Sequence, residues 1–448
     1  MMGRKKRAKT CDTLSHVKED RISQLPEHLI SEILFHLPTK EAVSTSVLSS
    51  KWRNTWRSVP ALDLYSAKFS NFDAFLSFVE RFLDSNREES TAHSSGQLRK
   101  FWSNFHDLDG RFKDFPTRWV DALTRRRIQQ IDLTFFIFYP AHKVPALNIY
   151  TCKTLVHLRL RGAKLANAES VSLPCLKIIY LEYVKYPNES TLEKLISESP
   201  VLEDLTLVSL STANATGVQV CSKTLKRIRI HKFQVVIDAP LLECIRTEIE
   251  SGKDFEIINV GSFAKLDIDV ALGNATYNIS IVPDILTDIC RWVRDLVLSS
   301  NVFWKDILLY SNSGPVLHFR DLSRLDAKFS KSDLEMLPTI LESCPRLEYF
   351  RLELVKDKSK RRERKKDPKV MFATVPQCLE TSLKFVELKR LIPGYEGEIK
   401  LVRYLLKNSK ILEKLRLDVY YTQKKKCDFL KELVSSPRCS TACEVLVL

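Results

Sequence analysis

Histidines, cysteines and clustered carboxylates are the residues that could do chemistry, and none of them is spaced to form an active site. The nine histidines are dispersed and give no H-E-x-x-H. The eleven cysteines are scattered singly, with no C-x-x-C. Cys439 and Cys443 are the nearest pair, and two ligands do not make a zinc site. Asp107-Leu108-Asp109-Gly110 has the start of a calcium loop without the further ligands or the closing glutamate. G-x-S-x-G, G-x-G-x-x-G and the P-loop are missing. A nucleophilic cysteine needs a histidine partner, and the sequence singles none out. The expectation is a non-catalytic protein with no cofactor and no metal.

Composition narrows the compartment. Apolar residues make up 44% of the 448 positions, enough for a sizeable core. The longest apolar run, FFIFY at 135–139, is strand-sized and far below the ~20 residues of a membrane helix. The basic N-terminus lacks a following apolar segment, so no secretory signal is expected. Single cysteines, odd in number, fit a reducing compartment. Nucleus or cytoplasm is the expected location, with no membrane partner.

The formal charge of +15 is concentrated in two runs. Arg4, Lys5, Lys6, Arg7 and Lys9 form one. The other, 356–369, has nine basic and three acidic residues. Solvated runs differ from a basic folded face, so nucleic acid is not expected as the main partner. Solubilising surface and nuclear localisation signals both fit. Lys424-Lys425-Lys426 reads as an exposed connection.

The elements begin in the stretch from Asp20 to Pro60. Pro26 opens a helix, with Leu29, Ile30, Ile33, Leu34 and Leu37 at helical spacing, and Pro38 stops it. Thr39 is the expected N-cap of a second short helix carrying Val43, Val47 and Leu48. Trp52 and Trp56 share one face of a third. These apolar side chains exceed what so small a unit can bury. They mark either a partner surface or a subdomain packing onto its own chain.

This stretch resembles the F-box of plant F-box proteins, whose usual form is close to DRIS-x-LP-x-x-L-x-x-x-IL-x-x-LPTK-x-AV-x-TSVLSK-x-W-x-x-LW. The matching positions run from Asp20, Arg21, Ile22, Ser23, Leu25 and Pro26 through Pro38, Thr39, Lys40, Ala42 and Val43 to Trp52 and Trp56. Ser50-Lys51 precedes Trp52 where a Lys-Arg pair is common, and Thr55 replaces a common Leu. The resemblance implies docking onto the Skp adaptor of a cullin-based ubiquitin ligase. Adaptor contacts are then expected among Leu25, Pro26, Leu29, Ile30, Ile33, Leu34, Leu37, Pro38, Val43, Val47, Leu48 and Trp52. Some of these must instead form the small core of the F-box itself.

Downstream, 69–86 and 115–126 read as amphipathic helices. The first carries Phe72, Phe75, Leu76, Val79 and Phe82; the second presents Trp119, Val120 and Leu123. A repeat follows. IQQIDL at Ile128, LVHLRL at Leu155, LKIIYL at Leu176, LEDLTL at Leu202, LKRIRI at Leu225 and LECIRT at Leu242 fit apolar-x-x-apolar-x-apolar. FAKLDI at Phe263, VRDLVL at Val293, LSRLDA at Leu322, LEYFRL at Leu347, LKFVEL at Leu383 and LEKLRL at Leu412 continue it. One short strand every 20–30 residues is the period of leucine-rich repeats. On strand alternation the apolar members point inward and the x residues face the concave side. Candidates for holding a target are therefore His157, Arg159, Lys177, Tyr180, Glu203, Thr206, Arg227, Arg229, Tyr349 and Arg351.

The end of the chain resembles the FBD region of many plant F-box proteins. Matching residues are Pro376, Cys378, Leu379, Leu383, Gly394, Gly397, Tyr404, Leu406, Asn408, Leu412, Leu433, Pro437, Arg438, Ser440 and Cys443. Cys439 stands where Gly is usual. Physically these are two more strand–helix units that finish the solenoid and hide its last edge.

The expected fold class is α/β: a three-helix F-box, then an irregular leucine-rich-repeat solenoid forming an arc, capped by the FBD region. The expected domains are a disordered basic tail (1–19), the F-box (20–60), linking and capping helices (61–127), repeats with a basic loop at 356–369 (128–370), and the FBD region (371–448). The resemblance implies the substrate receptor of a Skp–cullin–F-box ligase, with a Skp adaptor, through it a cullin, and an unknown protein target as partners. The alternative is a non-ligase nuclear scaffold, or a nucleic-acid-associated protein using the basic runs.

Overall fold

Leucine spacing sets the strands, and the strands set the architecture. The computed structural model describes residues 21–56, 59–85, 98–106, 115–136, 146–209, 217–249, 255–260, 265–270, 289–298, 318–355, 372, 374–391, 396–419 and 423–448. The basic tail, the 356–369 run and Asp107–Gly110 lie outside these residues. The chain divides into two units, with the boundary between Asn104 and Phe105.

In the first unit, α1 (Glu27–Phe35) starts after Pro26, whose carbonyl accepts from the amides of Leu29 and Ile30. α2 (Thr39–Ser44) and α3 (Trp52–Thr55) follow, joined by a short 3-10 turn. Ile30, Leu34, Ala42, Trp52 and Val59 form the core, with Leu25, Phe35, Leu37, Trp56 and Ala61 packed against it. Thr39 is not the cap expected from sequence. Pro38 occupies the N-cap position, and the Thr39 hydroxyl instead accepts from the amide of Asp63 at 2.7 Å. That bond ties α2 to β1 (Ala61–Tyr65). β1 pairs in parallel with β2 (Lys100–His106), Ala61 opposite Lys100 through Tyr65 opposite Asn104. α4 (Phe72–Ser85) buries Phe75, Leu76, Val79 and Leu83, while Phe72 and Phe82 are half-buried.

The strands β1 and β2 fall where the sequence suggests linking helices. In β2 the inward positions are Phe101, Ser103 and Phe105, and the fully buried Ser103 interrupts the apolar alternation. A polar residue in a core slot hides a strand from a pattern search.

The second unit opens with α5 (Phe115–Arg125), whose Trp119 stacks on Phe105 at 5.9 Å between centroids. Next come β3 (Gln130–Phe136), β4 (His157–Arg161), β5 (Ile178–Glu182), β6 (Asp204–Val208), β7 (Arg227–His231), β8 (Cys244–Ile249) and β9 (Lys265–Val270). The series continues with β10 (Asp295–Leu298), β11 (Arg324–Ser330), β12 (Tyr349–Val355), β13 (Phe385–Leu391), β14 (Lys414–Val419) and β15 (Glu444–Val447). From β3 to β15 each strand pairs in parallel with the next. Each of the twelve hexamers places its strand two residues after its first apolar member. The register follows the repeat, so equivalent positions form straight rows across the sheet.

Helices connect several strands. α6 (Glu189–Ser197) is capped by Asn188, whose side chain accepts from the Thr191 amide at 3.0 Å. α7 (Leu337–Glu342), α8 (Gln377–Thr381), α9 (Glu396–Asn408) and α10 (Gln423–Val434) serve the later repeats. The lysine run 424–426, read as an exposed connection, lies in α10. Where hexamers lie 17 to 23 residues apart, the connections hold strands instead: Val218–Cys221, Val235–Ala239 and Phe255–Val260 make a second parallel sheet. So short a crossover leaves too few residues for a helix and its loops.

The last edge is not hidden. Among the described residues β15 pairs only with β14, and none of Glu444–Val447 is buried. Cys439 is accommodated without left-handed backbone.

Candidate docking surfaces

In the first unit the helical stretch sorts its apolar residues into two sets. Ile30, Leu34 and Trp52 enter the core, and Leu25 and Leu37 pack on it. Leu29 and Ile33, one turn apart on the other side of α1, are 43% and 44% exposed. Val47 and Leu48 are 85% and 61% exposed, and Ile22 is 59% exposed. Pro26 and Pro38 are exposed and Val43 is half-buried. Five large apolar side chains thus stay in water beside a core that is already closed. Ile22 was not among the candidates, because it precedes the helix and belongs to no helical period.

Polar residues hold this arrangement. The Trp52 indole N–H donates to the Ser23 hydroxyl at 3.0 Å, and the Lys51 ammonium donates to the Ser23 carbonyl at 3.0 Å and to that of Leu25. The residues before Pro26 are therefore tied to α3. Thr55, in place of the usual Leu, bonds back to the Lys51 carbonyl at 2.6 Å.

In the second unit the x residues of the repeats lie on the open face of the main sheet. Lys177 and Glu203 sit one residue before their strands and pair with each other at 3.6 Å; Lys226 also reaches Glu203, at 3.5 Å. The first outward row contains His157, Asp204, Arg227 and Tyr349. Arg227 and Asp204 form a bidentate pair, and the carboxylate raises the Arg227 pKa. Burial lowers the His157 pKa, against the pull of Asp204, which favours the neutral imidazole. Tyr349 lies under the Arg324 guanidinium at 4.1 Å and donates to Glu387 at 3.0 Å.

The second outward row runs Asp132, Arg159, Tyr180, Thr206, Arg229, Arg246, Asp267 over β3 to β9. Arg159 reaches Asp132 at 3.9 Å and covers the Tyr180 ring at 4.5 Å. The Tyr180 hydroxyl donates to Glu182 at 2.8 Å; burial and that bond raise its pKa. Further along the same row, Arg351 bridges Asp326 at 2.9 Å and Glu387 at 3.2 Å, and Arg416 lies 3.7 Å from Glu387. Arg159, Lys177, Glu203, Arg227 and Arg351 are thus engaged in ion pairs with neighbouring strands, and Tyr180 and Tyr349 in hydrogen bonds to carboxylates. Among the described residues no group of three His, Cys, Asp or Glu could hold a metal ion. No helix among them is long and apolar enough to cross a membrane.

Comparison with known proteins fits this division. An F-box domain model matches residues 22–63, and an FBD model matches 373–417. The repeats of "FBD-associated F-box protein At5g56370, LRR repeats" match 117–285. F-box/FBD/LRR-repeat protein At1g51370 of Arabidopsis thaliana is 56% identical over the whole of both chains. The chain belongs to the F-box/FBD/LRR-repeat family. Another Arabidopsis thaliana member, F-box/FBD/LRR-repeat protein At5g53840, is 44% identical over 96% of each chain. In family terms the exposed apolar residues lie in the F-box match, and the ion-paired rows run over the strands of the LRR match, β3 to β9, and on to β13 and β14 in the FBD match. The FBD match spans α8, β13, α9 and the start of β14. There Tyr404 donates to the Thr374 carbonyl at 2.7 Å and Asn408 to the Tyr404 carbonyl at 2.7 Å, so two of its characteristic residues are structural.

Proposed function

We propose that this F-box/FBD/LRR-repeat protein is the substrate-recognition subunit of a Skp–cullin–F-box ubiquitin ligase. Its F-box docks the Skp adaptor, and the open face of the repeat sheet holds a protein target. The observation that carries the reading is the exposure of Leu29, Ile33, Val47 and Leu48 beside the closed core of Ile30, Leu34 and Trp52. Apolar side chains left in water on a helical module are what a partner helix covers. Of the residues proposed from sequence, these four, with Ile22 added, are assigned to the adaptor, and Ile30, Leu34 and Trp52 to the fold. The mechanism is proximity. The adaptor and cullin bring a charged conjugating enzyme near the bound target and raise its effective concentration. Catalytic groups are not required of this chain.

The test is co-purification of the full chain with a Skp adaptor, beside the Leu29→Asp, Ile33→Asp double variant. Wild type is retained and the variant is lost. A folded wild-type chain that ignores the adaptor overturns the reading.

A further inference from the structure

Among the described residues, the second outward row has one cation that its neighbours do not neutralise. Over β3 to β9 its ends are acidic, Asp132 and Asp267, and each takes the adjacent arginine: Arg159 to Asp132 at 3.9 Å, Arg246 to Asp267 at 2.7 Å. On the flanking rows Arg227 is held by Asp204, and Arg161 by Glu182 at 3.3 Å. Arg229, between them, has no ion-pair partner among the described residues. Its side chain is exposed. Directly across it on one side is Arg246, a like charge on the adjacent strand. Directly across on the other is Thr206, whose hydroxyl makes no hydrogen bond among the described residues. Arg227 and His231 share its face two residues away on β7.

Like charges directly opposite in a sheet destabilise it. The later half of the same row shows how the fold avoids this: Asp326, Arg351, Glu387 and Arg416 alternate in sign. A guanidinium offers a rigid fork that matches a carboxylate or a phosphoryl group, and Thr206 adds a hydroxyl one strand spacing away, ~4.8 Å.

We propose that Arg229 and Thr206 form an anion seat on the sheet face, and that it is filled by an acidic side chain, carboxylate or phosphoryl, on the protein target. The inference rests on the reading of the repeats as a target-binding surface. It names the chemistry that surface selects. A nucleic acid is disfavoured as occupant, because the arginines on either side are already held by carboxylates and leave no track of phosphate-binding cations.

The experiment selects random peptides on the full chain, in one pool without phosphate and in a second with a fixed phosphoserine. Wild type enriches Asp- and Glu-bearing peptides, or the phosphoserine pool, about tenfold or more over Arg229→Gln, the scale of a charge-assisted hydrogen bond. The two pools tell carboxylate from phosphoryl. Arg229→Glu reverses the preference toward basic peptides, and Lys226→Gln leaves it unchanged. Because a like-charge contact is removed, Arg229→Gln also unfolds at the same temperature as wild type or higher. No enrichment by wild type, enrichment indifferent to Arg229, displacement of the peptides by a single-stranded oligonucleotide, or a lowered unfolding temperature in Arg229→Gln overturns the proposal. Adaptor retention is measured on the same samples. Wild type and Arg229→Gln that keep the adaptor but select no acidic peptides sink the anion seat alone; loss of adaptor by wild type sinks the ligase reading and leaves the peptide result to be judged separately.

Discussion

Trp52 is a buried indole whose N–H donates to the Ser23 hydroxyl. Ser23→Ala leaves that donor unsatisfied and should cost about 1–3 kcal/mol, read by denaturant unfolding. Gly162 is held by geometry instead. Its φ is +65°, and a Cβ there would lie 2.3 Å from the Phe135 carbonyl oxygen. Tyr183, Lys232 and Arg390, also left-handed, occupy the same place in their own repeats. Gly162→Ala should therefore lower stability by more than ~1–2 kcal/mol, the left-handed penalty plus the clash. Lys232→Gly, with strain to relieve, should stay within ~1 kcal/mol of wild type. Asp295 carries a pH prediction. Burial raises its pKa, against the pull of Lys265 and Arg324 at 3.9 Å. The folded state then holds the proton more tightly than the unfolded chain, so stability falls as pH rises from the ordinary aspartate value of 3.8 through the raised one. Asp295→Asn should flatten that fall and leave the melting temperature at neutral pH unchanged or higher. A lower one would mean that the two cations outweigh burial.

At the scale of elements, α1 has one face in the core and one in water. Leu34→Ala should cost about 2–5 kcal/mol, the usual loss for a buried leucine. Leu29→Asp with Ile33→Asp should stay within ~0.5 kcal/mol per site, because neither side chain is buried. Thermal unfolding by circular dichroism distinguishes them. The helix itself was legible from Pro26, Pro38 and the apolar period. Which apolar residues face inward was not, because that depends on where Trp52, Ala42 and Val59 arrive from later in the chain. β2 was illegible for a different reason: Ser103 fills a core slot that the pattern reserves for an apolar residue. In the main sheet Glu387 is nearly buried and serves Arg351, Arg416 and Tyr349. Glu387→Gln should cost about 3 kcal/mol and lose little of that effect at high salt, since buried pairs are poorly screened.

For the whole molecule, the two units hold two different surfaces: apolar in the F-box, ionic on the repeat sheet. Each has its own core, so variants in one should not couple to the other. Leu29→Asp, Ile33→Asp should lose the adaptor and keep peptide selection, and Arg229→Gln should do the reverse. A quadruple comparison of wild type, each variant and their combination checks this; effects that fail to combine independently would show that the surfaces communicate.

The sequence by itself determined the positions and order of the twelve strands β3 to β14, because each apolar-x-x-apolar-x-apolar hexamer carries its own inward and outward directions. It also determined the family, through residues that stand close together in the chain. Only the tertiary structure decided which F-box leucines remain in water and that Arg229 has no carboxylate partner among the described residues. Both depend on side chains arriving from other strands and helices, and a local pattern does not specify what stands opposite it.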